Sequence, residues 1–509
     1  MATQRETDGL YELTDASRQE LQGNPYYNDD IAPTKVADRT WGTRDVTSLW
    51  VTLCICIPSF TMAAGLVMLG LSPWLAVLNV TLGNLLVLIP IQLNSAAGTK
   101  YGIPFPLFCR MSFGMRGAQI PSISRALAAC GWNAFQCWIG AAAIVAMIAA
   151  FAPAFGELGM TARIIGFIAF IILSMWATIY GASGLRKLQA FAAPTLTILT
   201  VGVLVWSVVI SSNAGFSVGE VLQAGNNYEV LAAGGGIALI FLAGLTANIG
   251  FWATLAINIP DFSRYASSQK SQFRGQLYGM PLTMFACAFI GAFMGQATEL
   301  VFGTAFFDPT NILNHLGNPV LMFIVAAAVA FATLTTNVMA NIVAPANSFS
   351  NIAPKKISYK VGVLITGGLA FIFQPWYLIE HASHLFFNFI GVYGGIIAPL
   401  AAIFIADYYM VKKGRIDIAG LFKADGGRYW YSSGFNSKAV IAWLAGAILP
   451  TIGRILDITG NTNTFFIWIT ANGYIFAFAV GFFLYIALMN KGDPSYVSAE
   501  ENKSLTESN

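Results

Sequence analysis

ANIGFWATLAINIPDFSRY, residues 247–265, starts within a long uncharged apolar run and closes on Pro260 and Asp261. Its length and apolarity call for a helix crossing a bilayer. Asn248, Gly250, Trp252 and Asn258 lie inside the run. In hydrocarbon, irregular backbone and polar side chains are tolerated only against protein or a cavity. A helix that breaks at membrane depth is how many transporters form a binding site, and that is the reading this stretch points to.

The rest of the chain agrees with a membrane setting. Apolar residues make up 56% and charged residues only 10%, with mean hydropathy +0.65. Soluble domains carry roughly a quarter charged residues. A net charge of +3, with no basic tract, gives no footing for nucleic acid. The first 45 residues are polar and lack the basic start and apolar core of a cleavable signal peptide. The cysteines (54, 56, 109, 130, 137 and 287) show no zinc-like spacing and read as small buried hydrophobes.

Apolar runs of spanning length recur near 46–71, 74–96, 119–151, 162–183, 188–212, 234–260, 277–302, 318–348, 359–379, 384–411, 438–456 and 464–490. These are spans 1 to 12. With the N-terminus inside, Arg5 to Arg44, Lys100 to Arg125, Arg186, Lys187, Arg264 to Arg274, Lys355 to Lys360, Lys412 to Lys438, Lys491 and Lys503 all fall on the cytoplasmic side. Only Arg163 and Arg454 fall outside. One miscounted span would scramble this asymmetry, which the positive-inside rule predicts. The expectation is therefore an all-α integral membrane protein of the cell (inner or plasma) membrane, with twelve transmembrane helices and both termini cytoplasmic. The ends, roughly 1–30 and 493–509, read as mobile for want of apolar content. The cytoplasmic connection 412–437 has no structure legible in its residues.

Taken as two sets of five, span 1 pairs with span 6 and span 3 with span 8. Spans 1 and 6 are both interrupted, at Ile57-Pro58-Ser59 and Gly250-Phe251-Trp252. Proline removes a backbone bond and clashes with the preceding turn, so span 1 should unwind between Thr52 and Pro58. Spans 3 and 8 carry polar residues four apart, Trp132 with Gln136 and Asn337 with Asn341, each pair on one helical face. An odd number of spans per repeat makes the repeats inverted. The divisions are then a segment 1–45, repeats at 46–212 and 234–411, a loop at 412–437, two further helices within 438–490, and a tail at 491–509.

Span 3 reads GWNAFQCWIG from Gly131, which sets an indole one turn from a primary amide. Trp252 offers a second plane. Two facing indoles and an amide suit a flat, neutral heterocycle, at about 0.5–1.5 kcal/mol per aromatic contact. An interfacial belt or ordinary packing is the competing reading of each indole. In span 8, Thr335 and Thr336 precede the two asparagines. Their hydroxyl oxygens suit a hard cation, or else they bond back to their own helix. Asp261 and Asp407, beside Arg264 and Lys412, read as ion-pair partners. Glu299, Glu380, His381 and His384 lie near outer span ends, and no carboxylate at depth favours proton coupling. A membrane-embedded enzyme would need a nucleophile–base pair, paired acids or a metal cluster, and a channel would need a continuous polar stripe. None of these is present in the sequence.

Over about residues 28–490 the chain resembles the nucleobase–cation symport family, carriers of purines, pyrimidines, allantoin, hydantoins and some vitamins. The resemblance rests on NIPDFSRY at 258–265 and TTNVMANIVAPA at 335–346, supported by GIPFPLFCRMSFGMRG at 102–117, GWNAFQCW at 131–138 and ADYYMV at 406–411. It implies the inverted-repeat fold of the leucine transporter, with discontinuous helices 1 and 6 and two extra C-terminal helices. It also implies a ring held between Trp132 and Trp252, hydrogen-bonded by Gln136 and Asn341, with backbone near Gly250 and Phe251 assisting. For the sodium-coupled members it implies a cation among carbonyls of Thr52, Ile55 and Ala332 and hydroxyls of Thr335 and Thr336. Where hydantoin-type members present a glutamine in span 1, this chain has CICIPSF at 54–60, with Cys56 at that place, or Ile57 or Pro58 if one residue is inserted, and Ser59 beyond. That wording is nearer the allantoin and purine-ureide branch. The resemblance therefore implies cation-coupled import of allantoin first, of uracil, cytosine, a purine or a hydantoin next, with sodium ahead of proton and no other cofactor. An amino-acid transporter of the same fold is the nearest rival. A single chain in the lipid bilayer is the expected working unit.

Overall fold

Prolines and small polar residues set where these helices bend. The computed structural model describes residues 2–223, 225–306, 312, 318–377, 383–461, 463–489 and 495–508, the side chains of 383–391, 507 and 508 excepted. Among the described residues, eight helices are long and apolar enough to cross a membrane, and two bent helix pairs raise this to ten.

Span 1 is one bent pair, Thr43–Cys54 and Ile57–Met68, turning 54°. Ile55 and Cys56 are non-helical, and Pro58 stands in the first turn of the second half, where its missing N–H costs nothing. Span 2 is Pro73–Tyr101, span 3 Gln119–Ala149, span 4 Met160–Ile179 and span 5 Gly181–Asn213. Span 6 comes in three pieces, Ile237–Phe251, Ala253–Asn258 and Pro260–Ser263. Span 7 is Gln269–Phe302 and span 8 Pro319–Ile352, with a π-helical turn at Val338–Ile342. Span 9 is a short helix, Tyr359–Ile372. Span 10 runs over Ser383–Ile405 into a second π-helical stretch, Ala406–Val411. Span 11 is Ser437–Ile458. Span 12, expected as one helix, is instead Thr464–Ala471 and Gly473–Leu488, bent by 79° at Asn472.

Span 7 lies along spans 1 and 2, and span 2 along span 6; span 3 packs on spans 4 and 8, and span 8 on span 9. Spans 10, 11 and 12 pack on one another. Span 7 reaches span 1 through glycine: a Cβ on Gly291 would lie 2.2 Å from the Phe60 carbonyl oxygen. On the perimeter, Ile198 (72% exposed) and Phe483 (69%) face outward. Exposed apolar residues all round the molecule fit hydrocarbon as the solvent.

The expectation of mobile ends is overturned. Strands Gln4–Thr7 and Leu10–Leu13 pair antiparallel, and Thr506–Ser508 joins the first in parallel, so an otherwise helical chain carries a three-stranded sheet. Neither end folds alone. Leu10, Tyr11, Leu13, Leu21, Tyr27 and Ile31 are buried where the N-terminal segment packs under the bundle. Arg39 fastens that segment, donating to the carbonyls of Tyr11, Thr34, Thr99 and Lys100. Burial pushes its guanidinium down to about 10, still a cation at neutral pH. The 412–437 connection belongs to the same layer. Arg428 bonds the Tyr496 carbonyl and pairs with Glu501, Tyr431 Oη donates to Ser495 Oγ, and Ile418 N donates to Gln4 Oε1.

Candidate functional site

The site lies where the broken spans 1 and 6 meet spans 3 and 8. In span 1 the extended pair Ile55 (φ −81°, ψ 84°) and Cys56 (φ −144°, ψ 159°) separates the half-helices, within the Thr52-to-Pro58 window read from the proline. Cys56 Sγ and Ser59 Oγ lie 3.2 Å apart and both residues are buried, so the thiol and hydroxyl face each other. In span 6 the break falls at Trp252 (φ −96°, ψ 2°), the last of the three residues expected to interrupt it. A Cβ at Gly250 would meet nothing within 4 Å, and the residue lines a cavity of about 680 Å³ walled by spans 1, 6, 10, 11 and 12.

The two indoles share a ring neighbour, Phe251. Phe251 stands edge-on to both, 6.0 Å from Trp132 at 85° and 4.9 Å from Trp252 at 75°. The Phe251 side chain joins the group, where a backbone contribution was expected. Trp252 also packs edge-on to Trp50 at 5.4 Å, and its Nε1 donates to Asn84 Oδ1 at 2.7 Å. Trp132 Nε1 donates to Tyr393 Oη at 2.9 Å. Both indoles are buried at depth, which excludes the belt reading.

Gln136 is 3% exposed, and its Oε1 is a buried acceptor without a hydrogen-bond partner. Leaving such an atom unmade costs about 1–3 kcal/mol, a cost a ligand donor would relieve. Asn341 sits inside the π-helical turn and donates to Asn337 Oδ1 at 3.1 Å; Asn337 donates to Asn133 Oδ1 at 2.8 Å, joining span 8 to span 3. Such turns often mark functional positions. Arg125 of span 3 satisfies the Ala340 carbonyl in this turn at 2.7 Å and donates to Asn258 Oδ1 of span 6 at 2.9 Å.

The expected cation oxygens form two hydrogen-bonded pairs. Thr336 Oγ1 donates to the Thr52 carbonyl at 3.0 Å, crossing from span 8 to the span 1 break, while Thr335 Oγ1 bonds back to Ala332 O at 3.0 Å. The self-bonding alternative thus holds for Thr335 and fails for Thr336. Thr336 and Thr52 thus form one pair across spans 8 and 1, and Thr335 and Ala332 another within span 8, with Ile55 at the span 1 break; the five expected donors are all oxygens, the type a hard cation takes.

The acids are placed differently from expectation. Asp407 does pair with Lys412, 2.7 Å apart and both fully buried. Asp261 is 1% exposed; its oxygens accept from Phe105 N, Asn347 Nδ2 and Asn258 Nδ2, while Arg264 turns to the Asp30 carbonyl. A buried carboxylate is therefore present, because the 102–117 loop and span 8 supply donors that linear spacing does not reveal. Glu299 is exposed at its span end as expected; Glu380, His381 and the His384 side chain lie outside the described residues. Asn84, Asn133, Arg125 and Tyr393 were missed. Asn84 and Arg125 were visible as polar residues inside apolar runs; nothing in the sequence marked Tyr393.

A family model described as a permease for cytosine/purines, uracil, thiamine and allantoin matches residues 33–484. The purine-uracil permease NCS1 of Arabidopsis thaliana is 34% identical over 493 residues, 94% of this chain and 80% of that protein. The allantoin permease of Bacillus subtilis (strain 168) is 31% identical over 487 residues, 94% of this chain and 96% of that protein. Among solved structures, Mhp1, a nucleobase-cation-symport-1 family transporter in a closed conformation with bromovinylhydantoin bound, matches with TM-score 0.75 at 22% identity, covering 94% of this chain and 99% of that one. At that identity the likeness speaks for the fold.

Proposed function

The chain belongs to the family of permeases for cytosine/purines, uracil, thiamine and allantoin, and on that premise we propose that it imports a flat neutral heterocycle, allantoin first, in symport with sodium. As a permease it is a multi-pass membrane transporter and not an enzyme. The observation that carries the ring site is the unpartnered Gln136 Oε1, buried one turn from Trp132. The substrate ring lies against Trp132 and Trp252 after Phe251 swings aside, with Gln136 and Asn341 bonding its edge, Gly250 giving clearance, and Cys56 and Ser59 forming the wall that selects among rings. Sodium sits among carbonyls of Thr52, Ile55 and Ala332 and the hydroxyls of Thr335 and Thr336.

Transport is alternating access: spans 1, 2, 6 and 7 rock against spans 3, 4, 8 and 9, the repeats being 46–212 and 234–411 with 438–490 outside them. Span 1 contributes to both sites, so ring and cation strengthen each other, and by linkage the effect is reciprocal. The termini are cytoplasmic and the monomer suffices. The runner-up ring is a purine or uracil, supported by the Arabidopsis relative.

The test has two arms. Purified protein is screened by thermal shift against allantoin, nucleobases and hydantoins, since a ligand of the folded state raises apparent stability. Uptake into proteoliposomes is then measured under a sodium gradient and under a pH gradient. A stabilising ring and sodium-driven uptake that Thr336→Val abolishes are expected. Indifference to sodium with dependence on pH overturns the cation assignment, and stabilisation by an amino acid alone overturns the ring.

A further inference from the structure

Indole has one N–H and no acceptor, and at both indoles of the site that N–H is already used. Trp252 Nε1 donates to Asn84 Oδ1 at 2.7 Å, and Asn84 Nδ2 donates to the Val80 carbonyl at 2.7 Å, which fixes the end of the amide that faces the indole. Trp132 Nε1 donates to Tyr393 Oη at 2.9 Å. All four side chains are buried. We propose that Asn84 and Tyr393 are positioning residues of the ring site: they hold the two indoles as face-only surfaces, and hydrogen-bond reading of the substrate's edge is left to the amides, Gln136 first. This rests on the ring-transport reading above.

The two anchors differ in what they join. Asn84 stands on span 2, packed along span 6, so Trp252 and its anchor move as one body. Tyr393 stands on span 10, outside both four-span groups, and its bond reaches across to span 3. The hydrogen bond that orients Trp132 therefore depends on span 10 being seated, while the one that orients Trp252 does not. A ring resting on Trp132 and a seated span 10 favour each other through one hydrogen bond.

The experiment measures the dissociation constant of the ring identified by thermal shift, in wild type, Tyr393→Phe, Asn84→Leu, and protein with benzothienylalanine at 132, which keeps the indole's faces and lacks its N–H. Tyr393→Phe and the benzothienyl replacement should each weaken the ring about threefold to tenfold, the range for one lost hydrogen bond. Combined, they should weaken it no further, because both remove the same bond. Asn84→Leu should act similarly, and no added effect should follow when benzothienylalanine stands at 252. Sodium dependence should be unchanged throughout. If Tyr393→Phe leaves affinity unchanged while the benzothienyl protein binds weakly, the N–H reads the substrate itself and the proposal fails. Additive losses make Tyr393 a packing residue, which also defeats it. No ring bound by wild type defeats the transport reading instead, and the two failures are thereby distinct.

Discussion

Gln136 shows how a single side chain separates binding from stability. Its Oε1 is buried with no partner, so in the free protein this atom carries an uncompensated desolvation cost of about 1–3 kcal/mol. Gln136→Leu keeps approximate volume and removes that cost. It should leave the melting temperature unchanged or raised, and weaken ring binding about tenfold or more. Thermal unfolding and titration on one preparation check both halves. A lower melting temperature with intact affinity would place Gln136 among structural residues. The pair Trp132 and Gln136 was legible because four residues is one helical turn. That Phe251 would touch both indoles was not, since it depends on how span 6 packs against span 3.

At the scale of elements, glycine decides how near the broken span 1 lies to span 7. The missing Cβ of Gly291 lets the helices close until that position is 2.2 Å from the Phe60 carbonyl oxygen, which is backbone on a neighbouring helix. Gly291→Ala must push the helices apart, at about 1–3 kcal/mol for an overpacked contact. The expected result is a lower unfolding temperature. Gly202→Ala on span 5 has nothing within 4 Å and serves as control; there alanine should be neutral or stabilising by about 0.5–1 kcal/mol. Equal behaviour of the two variants in thermal unfolding would contradict the close-contact account. The break in span 1 was readable from Pro58. The 79° bend of span 12 and the π-helical turn at Asn341 have local signals too, Asn472-Gly473 at the bend and Pro345, whose missing N–H frees the Asn341 carbonyl, after the turn; their angle and form depend on packing.

For the molecule as a whole, the layer built from both termini and the 412–437 loop is held by buried bonds, with Arg39 as its hub. Arg39→Met leaves the carbonyls of Tyr11, Thr34, Thr99 and Lys100 without this donor and should cost on the order of 3 kcal/mol, since bonds to charged groups are the stronger kind. Limited proteolysis should then cut within residues 2–34 faster than in wild type, while the ring's dissociation constant stays the same. Unchanged cleavage would show that burial of Leu10, Tyr11 and Leu13 holds the layer without the arginine. The sequence misled here because low apolar content argues against folding alone, and these ends fold only against each other and the bundle.

The sequence by itself determined the membrane setting, the order of the spans, the interruptions of spans 1 and 6, and the family. These are one-dimensional properties: hydropathy over about 20 residues, proline's missing N–H, charge asymmetry, and motifs at fixed spacing. Tertiary structure alone decided which side chains answer which. It joined Thr336 to Thr52 and left Thr335 on its own helix. It withdrew Asp261 from Arg264 and set it among Phe105, Asn258 and Asn347. It gave the two indoles of spans 3 and 6 their anchors on spans 10 and 2. A hydrogen bond spans about 3 Å in space and any distance along the chain, so its partner is settled only when the helices have packed.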